Sequence, residues 1–572
     1  MKPKRTLFEP EYLKDLREVL NKPVREYPDN NAFIVKIKKG KESTYRYITY
    51  KEFQQNINEL GTALIDLGYK GKKIAVIGKN RYEWAVGYLA TLNGVGITVP
   101  LDKGLPEEEI EGLLERAKVD VLIFEKEYEQ VAKKISEKKG NTVKEFISMD
   151  PETDSKFTTM EKMLVKGREL IASGDRRFID SEIDEDAVCA IVFTSGTTSM
   201  AKGAMLTHKN YASNIYAINH MAPFKSTDVN MAFLPFHHTL GSTGLMVMLA
   251  QGMTNVFCDG IKYIQPNLKE YKVSVFVCVP LLLEAMYKKI MAEVDRQGKT
   301  KLMATMSKVC NFLLKFKIDI RRKVFKKVLD NLGGEIRFII SGAAPIDKNV
   351  AEGFANFGML SVQGYGLTET APVLAAENPT AIRYGSCGFP MVNVDLKIDN
   401  PNEEGIGEII AKGPNVMVGY YENQEATDEV IKNGWFHTGD LGRIDEDGFV
   451  FITGRKKNVI VLKNGKNIYP EEIEMHVSAL PYVQENMVYG KPKGDDLLLS
   501  VKIVYNEEYT KEKYPGKTEE ELHDIIWKDI KEINDHLPTY KRMKHLVVTN
   551  EEMVKTTTRK VKRFEEMKKE AE

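Results

Sequence analysis

The chain has 572 residues, and at about 150 residues per domain this length points to three or four folding units, some of them fused into larger lobes. Hydrophobic residues make up 42% and charged residues 29%, which excludes a disordered, collagenous or disulfide-scaffold chain. Lys+Arg and Asp+Glu balance at 82 each, so no global field recruits nucleic acid or an anionic membrane, and any such attraction has to be local.

The N-terminus is basic but is not followed by an apolar run, so it does not read as a secretory signal. Residues 72–125 alternate in the manner of a doubly wound α/β lobe. The buried run Ile74 to Ile77 is followed by a helical stretch from Arg81 to Asn93 and a strand at Ile97 to Pro100. Pro106 with Glu107, Glu108 and Glu109 starts the next helix, because proline suits the first turn and acids complement its dipole. Buried runs recur at 119–124, 188–193, 273–279 and 336–340, a βαβ pattern. The apolar run from Val273 stops at Glu284, short of the ~20 residues a membrane helix requires. Five scattered cysteines without a C-x-x-C pair fit a reducing compartment, and we expect a soluble, cytoplasmic chain.

Between Lys299 and Lys327, ten lysines and arginines face one acid, Asp319, with Phe312, Leu313, Leu314, Phe316, Ile318 and Phe325 interleaved. A basic amphipathic helix of this kind is suited to an anionic membrane surface. The alternative is a solvated helix whose apolar side packs on its own domain. After about residue 385 short alternating strands with Asp-Gly or Asn-Gly turns take over, and a β-rich subdomain is expected over about 385–454. From residue 455 onward comes an α+β unit: an Asn464-Gly465 hairpin, a helix from Pro470 to Leu480, two strands, a long helix from about Thr518 to His536 and a strand at 545–549. The expected division is a domain of residues 1–454 and a smaller one of 455–572.

Chemistry concentrates in a few segments. Thr194, Ser195, Gly196, Thr197 and Thr198, with Lys202 and Gly203, crowd hydroxyls, backbone N–H groups and an ammonium behind the buried run 188–193. Such a loop suits a polyphosphate, although Lys202 follows Ala201 and the Walker A order is absent. Gly364-Tyr365-Gly366-Leu367-Thr368-Glu369 has only half of a dinucleotide fingerprint, and Glu369 is either a ligand for Mg²⁺ bridging phosphates or an ordinary surface carboxylate. Asp440 follows Gly439 in a segment that suits ribose hydroxyls or a plain turn. The basic run from Lys555 to Arg563 is, by itself, a solvated tail. His237 and His238 are adjacent, and adjacent side chains on one element point to different faces, so one at most is expected to serve as a ligand. No H-E-x-x-H and no G-x-S-x-G occurs, which leaves metalloprotease and serine-hydrolase readings without a motif.

Taken in order, these segments resemble the adenylate-forming acyl-CoA synthetase superfamily over nearly the whole chain. The family's phosphate loop, T-S-G-T-T-G-x-P-K-G, is kept at Thr194 to Thr198, Lys202 and Gly203, with Ser199 and Ala201 replacing the usual Gly and Pro. The resemblance implies that Leu234 to His238 carries the acyl-site wall, with His237 in it. Gly342, Ala343 and Ala344 become the adenine-binding turn, Tyr365 with Gly366 the adenine stack, and Thr368 an α-phosphate contact. Glu369 becomes the Mg²⁺ ligand, Asp440 and Arg455 the ribose contacts, and Lys457 a hinge. The last family motif, P-K-T-x-S/T-G-K-x-x-R, aligns Lys560 with the adenylation lysine, although Val554 and Arg559 depart from it.

The implied reaction uses ATP, Mg²⁺ and CoA. A carboxylate attacks the α-phosphate to give an acyl-adenylate and pyrophosphate, and the CoA thiol then attacks the adenylate beside the hairpin that holds Gly465. The stretches around Arg81 and Arg337 look most like the long-chain fatty acid branch, although its gating tryptophan near Gly241 is missing. An acyl carrier protein as acceptor, an aryl or branched acid, and a non-catalytic fatty-acid or nucleotide binder stay open. The partners expected are small molecules and no nucleic acid, with a peripheral membrane contact through residues 299–327 and a homodimer left open.

Overall fold

Continuous apolar runs build the centre of the fold. The computed structural model of the chain describes residues 4–40, 42–194, 201–463, 466–493, 496–555 and 560–571. From one edge to the other, an eight-stranded sheet runs through Gly419–Tyr420, Lys202–Thr207, Val188–Thr194, Gly96–Leu101, Lys72–Ile77, Val121–Phe124, Glu145–Ser148 and Thr158–Thr159. All its pairs are parallel except the two made by Lys202–Thr207. Parallel strands are covered on both faces, which is why these segments read as unbroken apolar runs and not as alternation.

A nine-stranded sheet runs through Phe389–Pro390, Val373–Ala376, Leu360–Gly366, Phe338–Ser341, Val275–Cys278, Val229–Ala232, Thr254–Phe257, Asn31–Lys39 and Glu42–Thr49. Its middle is parallel and its ends are antiparallel. A third sheet is formed by Asp395–Asp399, Gly407–Lys412, Trp435–Ile444 and Ile431–Lys432, with Val450–Arg455 paired to Trp435–Ile444. Near the C-terminus Val483–Lys493 pairs antiparallel with Asp496–Tyr505, which pairs parallel with His545–Thr549. The helices Pro470–Ser478 and Glu519–Asp535 accompany this small sheet. The class is therefore α/β, doubly wound, with a smaller α+β portion.

Two compact units result. The first holds the chain up to Thr194 with Ala201–Leu396 and Ala411–Phe436; the second holds Lys397–Ile410 and the chain from His437 onward. Helix starts follow from side-chain oxygens that satisfy otherwise orphaned N–H groups. Thr49 caps the helix Tyr50–Asp66, Thr159 caps Met160–Ala172, and Thr207 and Thr518 form reciprocal capping boxes with Asn210 and Glu521. The helices Tyr50–Asp66 and Met160–Ala172 approach until a Cβ at Gly167 would lie 1.8 Å from the Glu59 carbonyl oxygen.

Two predicted helices differ from the reading above. The stretch from Arg81 is an α-helix only over Tyr82–Ala90; the chain then kinks within Thr91–Val95, where Asn93 and Gly94 leave helical geometry and Gly94 takes a φ of +130°. The single basic helix expected between 299 and 327 is three helices, Thr300–Leu314, Arg321–Val324 and Lys326–Asn331. The chain turns at Lys317, with φ +63°, and Asp319 accepts a hydrogen bond from the Arg321 backbone N–H at 3.1 Å. Arg321 and Arg322 do not reach solvent as pure charges. They donate to the carbonyls of Ala355 at 2.8 Å and of Ile336 at 2.7 Å, tying the segment to its own unit. Met303, Met306 and Cys310 pack inward, while Leu302, Val309, Phe312 and Phe316 form an exposed stripe.

Candidate active site

In the first unit the two described ends of the phosphate-loop motif, Thr194 and Lys202, are paired across two antiparallel strands. Thr194 ends one strand, Lys202 begins the next, and the Thr194 hydroxyl donates to the Lys202 carbonyl at 3.3 Å. Ser195, Gly196, Thr197 and Thr198 lie outside the described residues. The short strand Gly419–Tyr420 pairs with Lys202–Thr207, and that pairing sets Tyr420 beside both polar ends of the site. The Lys202 ammonium lies 5.1 Å from the centroid of the Tyr420 ring, within cation–π range. The Tyr420 hydroxyl donates to Glu369 Oε1 at 2.8 Å. Tyr420 thus links the lysine and the carboxylate, two residues far apart in sequence. Nothing in its short segment announced it.

Thr368 and Glu369 sit on a one-turn 3₁₀ segment, Thr368–Thr370, directly after the strand Leu360–Gly366. Two buried amides hold this turn. Asn214 and Asn415 donate to the Thr370 carbonyl at 3.4 and 3.0 Å and to the Val373 carbonyl at 2.8 and 3.2 Å. An asparagine inside a buried helix, as at Asn214, is the one signal that sequence reading had for this support. At Gly366 a Cβ would lie 1.8 Å from the Pro372 carbonyl oxygen, so only glycine passes there, and half-buried Tyr365 precedes it. Gly342 is buried against Leu240, whereas Ala343 and Ala344 are exposed. Ala343 has φ +71°, a left-handed conformation that costs a side-chain-bearing residue about 1–2 kcal/mol.

The two histidines correct the sequence reading. His237 and His238 converge: their Nε2 atoms are 3.1 Å apart and their ring centroids 4.1 Å apart. They lie in the turn between the strand Val229–Ala232 and the helix Thr239–Ala250, where the alternation of a regular strand does not apply. Asp102, just past the strand Gly96–Leu101, joins them with its Oδ1 3.3 Å from His237 Nε2. Phe236 lines a small cavity of about 20 Å³ with Asn230, Phe233, Leu234, Leu240 and Val277. Gly241 starts the adjoining helix so close to Pro235 that a Cβ would lie 2.1 Å from that residue's carbonyl oxygen.

The second unit carries the remaining residues. Asp440 and Arg455 are direct register partners on adjacent antiparallel strands, and Arg455 Nε lies 2.7 Å from Asp440 Oδ1. The Asp440 carboxylate is buried, and Thr438 and Glu408 fix the stretch of strand before it. Thr438 donates to the Ile409 carbonyl at 2.7 Å, and the Gly439 N–H donates to Glu408 Oε1 at 3.1 Å. Burial, and then the positive charge of Arg455, hold the Lys457 ammonium below the usual lysine range; Lys560 and Arg563 push the same way and Asp440 opposes them. Lys560 itself is exposed, next to the bridge between Lys555 and Val561. Gly465 lies outside the described residues.

With this geometry in view, the chain matches two family models: AMP-binding enzyme over residues 20–421, and AMP-binding enzyme C-terminal domain over residues 457–570. The chain belongs to the AMP-binding enzyme family, the adenylate-forming enzymes. It is 32% identical over 477 residues to long-chain-fatty-acid–CoA ligase 5 of Mus musculus, an alignment covering 78% of this chain and 69% of that one. It is 30% identical over 464 residues to long-chain-fatty-acid–CoA ligase FadD15 of Mycobacterium tuberculosis, covering 78% and 76%. Its fold is shared with ATP-bound MatB from Rhodopseudomonas palustris, at a TM-score of 0.74 and 23% identity over 97% of this chain and 99% of that one.

Proposed function

We propose that this chain joins a long-chain fatty acid to CoA at the expense of ATP, releasing AMP and pyrophosphate. The observation that carries the proposal is the grouping of Lys202, Tyr420 and Glu369 beside the ends of a phosphate-loop motif, in an AMP-binding enzyme whose similar curated relatives are named long-chain ligases. In the first half-reaction an oxygen of the acid's carboxylate bonds to the α-phosphorus of ATP, and the bond to pyrophosphate breaks. Lys202 and Lys560 offset negative charge that develops on the phosphate oxygens, and the other demands are positioning and in-line geometry. In the second, the CoA sulfur attacks the acyl carbonyl, AMP leaves, and the thiol proton passes to solvent.

The remaining residues take roles within this reading. Asp440 and Arg455 hold ribose, Tyr365 with Gly366 and the turn from Gly342 to Ala344 holds adenine, Thr368 contacts the α-phosphate, and the hairpin with Gly465 serves CoA. Glu369 offers a hard carboxylate oxygen of the kind Mg²⁺ prefers when it also binds phosphates, and the ion supplies charge neutralisation when bound. His237 belongs to the wall of the acyl site. In this reading residues 455–572 reorient about Lys457 between the half-reactions. The enzyme works in the cytoplasm, its exposed stripe from Leu302 to Phe316 rests on an anionic membrane from which the acid is drawn, and a homodimer is compatible with it.

The test is pyrophosphate release from ATP across acids from acetate to oleate, with and without CoA. Turnover that needs both a long-chain acid and CoA supports the proposal; turnover only with a carrier protein, or only with an aryl acid, overturns it. Lys560→Ala is expected to lower adenylate formation by at least about 100-fold, within the range for loss of one transition-state contact, while thioester formation from supplied acyl-adenylate persists. An equal fall in both half-reactions would refute the separate role of Lys560.

A further inference from the structure

The last helix of the chain, Arg563–Ala571, inverts the usual order of burial: its Phe564 and Met567 are exposed, while Glu566 is 1% exposed. The partner that draws this carboxylate inward lies on the strand Asp496–Tyr505. There Lys502 stands opposite Met487 on one neighbouring strand and Val547 on the other. Val501 and Ile503 share a core with Ile473, Val477, Ile526 and Ile530 of the two larger helices, so alternation puts Lys502 on the opposite face with Val504. The apolar cluster on that face is small: Met487, Tyr489, Val504 and Met553, joined by Val561. Lys502 Nζ lies 3.0 Å from Glu566 Oε2 and 2.7 Å from Glu570 Oε1, two acids four residues apart and therefore on one side of the helix.

Glu566 spends its other oxygen on the backbone that leads to Lys560. Its Oε1 accepts from the Val554 N–H at 2.7 Å. The Val554 carbonyl accepts from the Lys562 N–H at 2.8 Å, and the Lys562 carbonyl accepts from the N–H groups of Glu565 and Glu566 at 3.0 and 3.1 Å. Lys555 and Val561 form an antiparallel bridge, and Lys560 directly precedes the bridged Val561. Residues 554–555 and 561–562 are thus paired with each other, and one buried carboxylate ties that pair to a lysine in the middle strand of the sheet. Glu485 holds the incoming side, accepting from the Met553 N–H at 3.1 Å and pairing with Lys555. Arg563 holds the outgoing side, donating to the Val488 carbonyl at 3.0 Å and pairing with Glu474. Glu566 reaches from one side to the other.

We propose that Glu566, oriented by Lys502, is a positioning residue for Lys560 in adenylate formation. The assignment rests on the role given to Lys560 above and adds how an exposed side chain near the end of the chain is aimed. A lysine neutralises developing charge only if its backbone delivers the ammonium to one place, and a displacement of about 1 Å at its base is enough to cost about 100-fold in rate. A supporting shell on a rigid element prevents that displacement, and the middle strand of a three-stranded sheet is such an element. A leucine at position 566 would suit a buried helix face, yet it offers no acceptor to the Val554 N–H. The buried carboxylate is tolerable because Lys502 matches its charge and the Val554 N–H occupies its second oxygen.

The expected effect is confined to one half-reaction, and the full chain is assayed for each separately. In Glu566→Leu, acyl-adenylate formation at saturating ATP and oleate is expected to slow at least about tenfold. The KM for ATP, and thioester formation from supplied acyl-adenylate, are expected to stay within about twofold of the parent, because a contact that acts only in the transition state leaves ground-state binding alone. Glu566→Gln keeps an oxygen for the Val554 N–H and is expected to recover most of the loss. Lys502→Met removes the group that orients Glu566 and is expected to slow adenylation at least about threefold. Circular dichroism verifies folding, and either Glu566→Leu or Lys502→Met suffices if the other does not fold. An equal fall in both half-reactions would mark a merely structural role and overturn the assignment. Unchanged adenylation in a folded Glu566→Leu or Lys502→Met, or a Glu566→Gln as slow as Glu566→Leu, would overturn it as well. A parent that forms no adenylate defeats the ligase reading itself, before any variant is compared; a parent that turns over beside unaffected variants defeats this assignment alone.

Discussion

At the residue scale, the most unusual carboxyl in the first unit is Glu377. It is 5% exposed, its oxygens accept from the backbone N–H groups of Gln363 at 3.1 Å and Arg383 at 3.0 Å, and burial pushes its carboxyl up to about 8 against those two donors. The folded state therefore retains a proton that the unfolded chain has lost, in the window from about 4.5 to about 8. Its contribution to stability is fully present below that window and is lost as pH rises through it. Glu377→Gln removes the titration while keeping one acceptor. Its stability relative to the parent is expected to improve by on the order of 2 kcal/mol between about pH 5 and pH 8, measured by urea unfolding at each pH. A difference independent of pH would show that Glu377 does not titrate there. Lys202 and Glu369 were legible in the sequence because motif and residue type coincide. Tyr420, Asn214, Asn415 and Asp102 were not, since each acts through partners at least 42 residues away.

Elements were legible where hydrophobic period and end signals agree. The runs at 74–77, 188–193 and 545–549 became strands, and Pro470 and Thr518 began helices. The reading failed where local rules gave way to tertiary contacts. A uniform basic composition hid the break at Lys317, and the alternation rule was applied to a turn at His237. Helix packing supplies a test at this scale. Gly167 meets the Glu59 carbonyl oxygen, while Gly112, in the exposed face of the helix Glu107–Ala117, has nothing within 4 Å of a Cβ. Gly167→Ala is expected to lower stability by about 1–3 kcal/mol, because two helix backbones have to separate. Gly112→Ala is expected to raise it by up to about 1 kcal/mol through helix propensity alone. Urea midpoints of the two variants measured together check both signs.

For the whole molecule, zero net charge makes the uneven surface decisive. Among the described residues no helix is long and apolar enough to cross a membrane. The stripe of Leu302, Val309, Phe312 and Phe316 offers apolar contact instead, with Phe312 and Phe316 edge to face at 5.3 Å and exposed by 58% and 63%. Lysines surround it. Binding to vesicles containing phosphatidylglycerol is expected to exceed binding to pure phosphatidylcholine and to weaken with salt as charges are screened. The double change Phe312→Ser and Phe316→Ser is expected to lower it several-fold in a sedimentation assay. Equal binding to both lipids, or none, would sink the idea. The two large sheets carry a further consequence at their margins. Three of their four outer strands, Gly419–Tyr420, Thr158–Thr159 and Phe389–Pro390, are two residues long, and the last ends in a proline with no N–H to offer. The fourth, Glu42–Thr49, is exposed at every position through Tyr47 but carries Glu42 and Arg46. Short, proline-ended or charged margins give a neighbouring chain little to zip onto. Among the described residues, the seventeen strands of these two sheets are thereby guarded against edge-to-edge pairing, even at a net charge that does nothing to keep copies apart.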